Sequence, residues 1–448
     1  MALMVSVSGI RGIFGSHLTP QNLVSFTAAY GTWLSGGTVV VGRDSRTTGQ
    51  ICEDIVCATL QSTGCNVIKT GIVPTPTVAM GVLRHQADGG IILTASHNPE
   101  QWNALKLLNS KSEFLDAEEG RQVLEIAEKE TFTFVGFDRI GTVTEETTLP
   151  DYHIKKILEL PYIDRELIRK MRFKVAVDAV NGAGSEILPA LLRELGAEVH
   201  AIHCTPNGIF PHNPEPLPEH LTEICGFVRN KNCDLGFVTD PDADRLAVVD
   251  ENGTLFGEEY TQVAAFDLML SKREGDTATN LSSSRAADDI SARYGRACHR
   301  SAVGEINVVK AMQEKGAIIG GEGNGGVINP DLHPGRDAMV GAAMILQLLA
   351  ERRQKASEYR NSLPNYEMVK QKVKLEDLGV DADELLVKVA EQFSGEKVNR
   401  TDGVKIDFEE GWVHFRKSNT EPIVRVYSEA SDSDKAGKLA AGVLDLIR

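Results

Sequence analysis

The sequence predicts an α/β protein of several domains, and three observations carry that prediction. Short β-branched apolar runs bounded by glycine or proline recur along the chain, at Thr38-Val39-Val40-Val41, Gly90-Ile91-Ile92-Leu93, Lys174-Val175-Ala176-Val177-Asp178 and Leu235-Gly236-Phe237-Val238. They are too short for helices and read as buried strands. Between them lie segments with helical spacing of apolar residues, such as Leu23, Phe26 and Tyr30, or Leu188 and Leu192. The third observation is length: 448 residues exceed what one core holds and suggest three or four domains.

In chain order, Ser8-Gly9-Ile10-Arg11-Gly12-Ile13 places glycines on both sides of an arginine, so the backbone can approach a ligand that the guanidinium reaches. Thr19-Pro20 predicts an N-cap and first helical residue. The strand ending at Val41 runs into Gly42-Arg43-Asp44-Ser45-Arg46, whose arginines are expected to be ion-pair partners of the loop rather than catalytic groups. The strand ending at Leu93 delivers Thr94-Ala95-Ser96-His97-Asn98-Pro99, and Trp102-Asn103-Ala104-Leu105-Lys106 leads into another strand. Residues 116–148 are charged and helical in pattern until Leu149-Pro150 breaks them, which sets the first boundary. In the second unit, Asn181-Gly182-Ala183-Gly184-Ser185 lacks G-x-G-x-x-G or a Walker lysine and reads as a tight glycine turn opening a helix. Phe210 to Pro216 is a proline-rich connector. A third unit from Gly253 is expected to hold an amphipathic helix over Tyr260 to Leu270, a strand ending at Asn280-Leu281-Ser282 and a helix after Val303-Gly304-Glu305. The last segment, from Glu367, reads as strand, helix, strands, helix.

Chemistry concentrates in four places. Ser96 lies just past a strand end, where crevices form in α/β proteins, with His97 beside it as acid, base or charge partner. In Asp240-Pro241-Asp242-Ala243-Asp244-Arg245, three carboxylates alternate so that a looped backbone can aim them at one point. Hard oxygen donors without His or Cys suit Mg²⁺ better than Zn²⁺. An EF-hand needs Gly where Arg245 stands and helices where strands flank the motif. A haloacid-dehalogenase-type phosphatase also uses Asp-x-Asp, but leaves Ser96 idle. Gly320 to Gly326 exposes only Glu322, able to accept from two vicinal hydroxyls, and Asn324, able to donate and accept. Arg416-Lys417-Ser418-Asn419-Thr420-Glu421-Pro422 offers an arginine, hydroxyls, an amide and turn N–H groups as a phosphate nest, with Arg425 on the following strand.

These four signatures, in this order and spanning essentially the whole chain, resemble the α-D-phosphohexomutase superfamily. The resemblance implies three similar α/β domains and a smaller α+β domain around a central cleft, with boundaries at 1–149, 150–252, 253–366 and 367–448. It implies that Ser96 carries a phosphoryl group, that Mg²⁺ sits on Ser96, Asp240, Asp242 and Asp244, and that Arg11, His97, Lys106 and Arg245 assist catalysis. Glu322 and Asn324 would read the sugar, while Arg416, Ser418, Asn419, Thr420 and Arg425 would hold the phosphate that is not reacting. The activity implied is transfer between C6 and C1 of a hexose phosphate through a bisphosphate intermediate, with hexose 1,6-bisphosphate as activator. The E-x-N-G loop favours glucosamine phosphate, and mannose and glucose phosphates are the alternative. A sugar-phosphate phosphatase and a non-catalytic binding protein stand behind these. Three positions depart from the common family pattern: Ala104 replaces Gly, Asn324 replaces Ser and Gly326 replaces His, for which His333 is a candidate substitute.

Composition sets the remaining expectations. A formal charge of −16 argues against a general nucleic-acid or anionic-membrane surface, so an anionic substrate has to be drawn by local Arg and Lys. Seven cysteines without a C-x-x-C pair suggest reduced thiols and a cytoplasmic enzyme. No apolar run approaches membrane-spanning length, and a monomer or homodimer is expected.

Overall fold

The computed structural model describes residues 3–6, 8–374, 381–417 and 423–447. They fall into two compact units, one formed by Met1–Leu268 with Asn324–Tyr359 and the other by Met269–Gly323 with Arg360–Arg448. The three α/β/α segments and the smaller, β-rich C-terminal one have the expected class of fold.

The first unit is built on two sheets. The larger has seven strands in the order Met4–Ser6, Gly9–Ile13, Trp102–Asn109, Gly89–Leu93, Gly37–Arg43, Cys65–Ile72 and Val143–Glu145. Gly37–Arg43 runs parallel to its neighbours, whereas Trp102–Asn109 is antiparallel to Gly89–Leu93. Every residue of Gly89–Leu93 is buried, so this strand is a fixed post from which the Ser96 loop departs. The helix Pro20–Leu34 starts as predicted, with Thr19 and Asn22 forming a reciprocal capping box. The second sheet has the order Leu246–Asp250, Leu235–Thr239, Lys174–Asp178, Glu198–Ile202. Its first pair is antiparallel, so the three alternating aspartates form the tip of a hairpin, which excludes an EF-hand.

The second unit holds the parallel strands Cys298–Ser301, Thr277–Asn280 and Ile319–Glu322. Its C-terminal part is an antiparallel sheet in the order Glu367–Lys374, Ile423–Ala430, Gly411–Lys417, Val404–Asp407, Lys397–Asn399, with helices Ala382–Gln392 and Ser433–Ile447. Alternating apolar residues Val413, Phe415, Val424 and Val426 pack with Leu385, Val389 and Val443 into the core of this part.

Two expectations are corrected, and a third is refined. Residues 116–148 are not helical throughout: the helix is Ala117–Lys129, followed by a short 3₁₀ turn and the edge strand Val143–Glu145. Charge made the segment look uniform, but Glu130 turns left-handed and ends the helix. The expected tight turn before Gly184–Glu194 is present, with Val180 and Asn181 as its left-handed residues. Gly182 serves close approach instead, since an added Cβ would lie 2.6 Å from the backbone of Pro241. The helix Tyr260–Lys272 is not amphipathic, because residues 260–270 are all buried.

The helix Ala338–Arg352 is buried along nearly its whole length and begins at Asp337, whose Oδ1 accepts from the N–H of Met339 and Val340. The other carboxylate oxygen faces His153 Nε2 at 2.8 Å and His333 Nε2 at 3.3 Å. Burial alone would raise the Asp337 pKa, but His153 and His333 outweigh it and hold the carboxyl well below its ordinary range. A depressed carboxylate stabilises the fold above its unfolded pKa of about 4 and ceases to do so as pH falls. Asp337→Asn keeps a capping side chain but removes the charge, and is expected to cost about 3 kcal/mol or more at pH 7. Denaturant melts of both proteins should show this gap narrowing below about pH 4.

Candidate active site

Ser96 is held in an unfavourable backbone conformation, with φ of 49°, by a single buried arginine. Arg46 uses its whole guanidinium: Nη2 donates to the carbonyls of Ser96 (2.6 Å) and Asn98 (2.7 Å), and Nη1 to those of Pro99 (2.5 Å) and Trp102 (3.1 Å). Nε donates to Asp44 Oδ2 at 2.9 Å, and Asp44 Oδ2 also accepts from the Thr94 hydroxyl at 2.6 Å. The Thr94 hydroxyl in turn accepts from the Ser96 N–H at 2.9 Å. The sequence-based reading of Arg46 as a structural ion-pair partner is therefore right, though the ion pair is the smaller part of what it does.

The hairpin tip meets this loop. Ser96 Oγ donates to Asp240 Oδ2 at 2.7 Å and lies 3.3 Å from His97 Nδ1. Asp240, Asp242 and Asp244 are fully buried, and one oxygen of each lies within 4.8 Å of the others. Ala243, at φ of 51°, turns the backbone so that both flanking carboxylates face inward. Lys106 Nζ is 2.7 Å from Asp242 Oδ2 and 3.9 Å from Asp244 Oδ2. The first residue of the helix Thr75–His85 donates twice to Asp242, from its N–H to the carbonyl and from its hydroxyl to Oδ2. Arg336 Nη2 donates to Asp244 Oδ2 at 2.6 Å, Arg245 Nε lies 3.8 Å from Asp244 Oδ1, and Arg11 Nη1 donates to Asn98 Oδ1 at 2.8 Å.

This site fits a divalent cation. Asp242 Oδ1 and Asp244 Oδ1 are buried without a hydrogen-bond partner. Burial and the two neighbouring carboxylates push Asp240 well above its ordinary range, the sign of a cluster short of positive charge. Asp242 moves the other way: burial would raise it, but Lys106 and Thr75 hold it low. An all-oxygen set is the donor type of Mg²⁺ rather than Zn²⁺. Burial, with Arg245 and Arg11 nearby, lowers His97 to about 2, so it enters the site as a neutral imidazole.

In the second unit, Glu322 ends a strand and its Oε1 accepts from Asn280 Nδ2 (2.9 Å) and the Gly304 N–H (3.2 Å), which fixes its orientation. Arg416 lies opposite Arg425 in the antiparallel register, and its Nε is 2.8 Å from Asp402 Oδ2. Ser418, Asn419 and Thr420 lie outside the described residues. Asn324, in the first unit, accepts from the Gly326 N–H. His333 does not stand in for the missing imidazole as a ligand contact: it is buried against Asp337. Sequence reasoning missed Thr75, Arg336 and Asn280 as partners of the site carboxylates. Only Arg336 carried a signal, its place between a glycine and a capping aspartate. All seven cysteines are free, and among the described residues no helix is long and apolar enough to cross a membrane.

A serine on a strand-end loop thus lies against a buried carboxylate triad that could hold a divalent cation, on an α/β scaffold. The family models for phosphoglucomutase/phosphomannomutase α/β/α domains I, II and III match residues 3–134, 151–253 and 256–366, and the model for the C-terminal domain matches 368–446. The chain thus belongs to the α-D-phosphohexomutase superfamily, whose members are intramolecular phosphotransferases. It is 39% identical to a phosphoglucomutase/phosphomannomutase of Thermococcus kodakarensis, over 97% of this chain and 96% of the relative. It is 33% identical to a Methanopyrus kandleri protein named "probable phosphoglucosamine mutase", over 100% and 98%. Its fold is similar to the crystal structure of a phosphoglucomutase/phosphomannomutase family protein from Burkholderia thailandensis, with a TM-score of 0.87 and 24% identity, covering 99% of this chain and 98% of the other.

Arg46→Lys tests the loop's dependence on one guanidinium. An ammonium has three donors, so at least two buried acceptors lose partners, each worth about 1–3 kcal/mol. The expected outcome is a loss of at least about 2 kcal/mol in denaturant unfolding together with a fall in kcat, because the Ser96 backbone relaxes from its left-handed conformation.

Proposed function

We propose that this chain moves a phosphoryl group between C6 and C1 of a hexose phosphate through phospho-Ser96 and a bisphosphorylated sugar. The observation that carries this is the 2.7 Å hydrogen bond from Ser96 Oγ to Asp240, which joins the phosphoryl-bearing loop to the buried carboxylates. Asp240, Asp242, Asp244 and the Ser96 oxygen would hold Mg²⁺, which when bound supplies positive charge to the phosphoryl oxygens. Phosphoryl transfer is loose, so the protein's task is to align the attacking and leaving oxygens and to neutralise the equatorial ones. Arg46 and Asp44 hold the Ser96 oxygen in line, and Arg11 and Arg245 face the transferring group. Lys106, anchored on Asp242, stabilises charge at the reacting oxygen, and neutral His97 accepts from or donates to the serine oxygen. Glu322, oriented by Asn280, accepts from the sugar's hydroxyls. Arg416 and Arg425 are like charges placed directly opposite each other, an arrangement that an anionic phosphate stabilises. Hexose 1,6-bisphosphate serves as activator by phosphorylating Ser96.

Glucosamine phosphate is the first reading of the sugar, from the E-x-N-G form of the Glu322 loop. Glucose or mannose phosphate is the second, and two observations favour it. One is the 39% identical relative, a phosphoglucomutase/phosphomannomutase. The other is that Asn324 Oδ1 already accepts from Gly326, leaving an amide donor that suits a hydroxyl better than an ammonium.

Ser96→Ala is expected to lose at least about 10⁴-fold in kcat while binding sugar phosphate within a few-fold of wild type. Incubation with hexose 1,6-bisphosphate should add the mass of one phosphate to the wild type and none to the variant. Steady release of inorganic phosphate would replace this reading with a phosphatase. For the sugar, kcat/KM is compared for the 1-phosphates of glucosamine, glucose and mannose under one condition. A preference for glucosamine of tenfold or more, about 1.4 kcal/mol, is expected on the first reading. The reverse preference assigns the second.

A further inference from the structure

Outside the aspartate triad, a second cluster of metal-ligating side chains lies in the first unit. Asp178 ends the strand Lys174–Asp178, His203 follows the strand Glu198–Ile202, and His212 sits in the proline-rich connector. Asp178 is buried, and its Oδ2 is 3.0 Å from His203 Nδ1 and 3.2 Å from His212 Nε2. One ligand atom from each residue lies within 4.8 Å of the others.

A second, independent observation is what surrounds these groups. The nitrogen of each imidazole that points away from Asp178 also faces an acceptor: His212 Nδ1 is 2.8 Å from the Asn213 carbonyl and His203 Nε2 is 3.6 Å from Glu223 Oε2. The other Asp178 oxygen accepts from the Val180 N–H at 2.9 Å. In a neutral imidazole only one nitrogen bears hydrogen. With the outer nitrogen of His212 donating to the Asn213 carbonyl, the lone pair of its Nε2 faces Asp178 Oδ2, an arrangement that a cation between them satisfies. Outer acceptors that fix tautomer and ring orientation are the usual company of metal-bound histidines.

We propose that Asp178, His203 and His212 bind a borderline divalent ion of the Zn²⁺ class as a structural clamp. Two imidazoles and one carboxylate match such an ion, which the all-oxygen triad does not favour. Cys204, next to His203, stays outside the set, since its Sγ faces the Val177 carbonyl.

The clamp has a purpose in the fold. The connector it fastens packs on the turn that carries Arg46. Phe210 lies under the Arg46 guanidinium at 5.1 Å, a Cβ at Gly208 would collide with the Ser45 carbonyl, and Ser45 Oγ donates to the Asn181 carbonyl at 2.6 Å. Asn181 Nδ2 donates to Ile209 O, and its Oδ1 accepts from the Thr205 N–H. An ion at the cluster therefore holds the support of the Ser96 loop without touching substrate.

The test uses the full chain, stripped with chelator and returned to excess Mg²⁺ so that the aspartate triad is saturated. Zn²⁺ is titrated against a competing chelator, and Co²⁺ is used as a spectroscopic probe. Expected are one equivalent of tight Zn²⁺, a rise in Tm, and Co²⁺ bands of four- or five-coordinate intensity. His203→Gln and His212→Gln should each weaken binding at least about tenfold, and Asp242→Asn should leave it in place. Two results overturn the proposal: no Zn²⁺ uptake in excess Mg²⁺, which makes the cluster a proton-held clip, or uptake lost in Asp242→Asn and kept in the histidine variants. If the histidine variants fold poorly, the wild-type Co²⁺ spectrum decides, since the weak bands of an octahedral oxygen site count against the cluster.

Discussion

The Ser96 loop depends on one fully buried guanidinium. Ser96 sits in a backbone conformation that costs a non-glycine residue on the order of 1–3 kcal/mol, and the loop's own bonds, from the Ser96 N–H to Thr94 and from the Asn98 N–H to Ala95, leave the Ser96 and Asn98 carbonyls unmet. Arg46 meets both, and gathers those of Pro99 and Trp102 as well. The arrangement works only with a planar, always-charged group whose donors diverge in a fixed fork. Asp44 compensates the charge, and Thr94 relays it to the Ser96 N–H. The serine oxygen is thus positioned by backbone constraints rather than by its own rotamer alone. Phosphoryl transfer gains most from such alignment, because it leaves the protein little covalent chemistry to perform.

The carboxylate triad is the second constraint and opposes the first energetically. Three buried aspartates within a few ångström repel one another, and the protein tolerates them because donors reach the cluster from different directions. Lys106 comes from a central strand and Thr75 from a helix N-terminus, whose dipole favours negative charge. Arg336 comes from the residue before the cap of the longest buried helix. What remains unpaired, Asp242 Oδ1 and Asp244 Oδ1, is the part of the cluster left for a cation. Stability held back at this point is the ordinary cost of a preorganised electrostatic site.

Local patterns made most of this legible in the sequence. Apolar runs marked the strand before Ser96 and both strands of the aspartate hairpin, and that pattern alone puts both motifs at strand ends. The Thr19 cap was equally readable, because capping is decided within four residues. What escaped was non-local. Thr75 is 167 residues from Asp242 and Arg336 is 92 from Asp244, and no spacing rule relates such positions. The tight turn before Gly184–Glu194 was legible too, but not why it needs a glycine: Gly182 packs closely against Pro241, while Val180 and Asn181 take the left-handed conformation.

The net charge of −16 raises the question of how such a protein would admit a small anion to the arginines of its sites. Screening answers part of it, since charges beyond about 8 Å are largely hidden at physiological salt. The distant acidic surface therefore matters less than the basic groups at the sites. Arg11, Lys106, Arg245 and Arg336 gather around the triad in the first unit, and Arg416 and Arg425 face each other across neighbouring strands in the second. Arginine predominates at these positions, which follows from geometry: a guanidinium can hold an aspartate on one edge and offer N–H groups to a phosphate on another. Arginines placed at its sites let an acidic chain concentrate favourable charge for a small anion locally, while its overall charge disfavours polyanions such as nucleic acid.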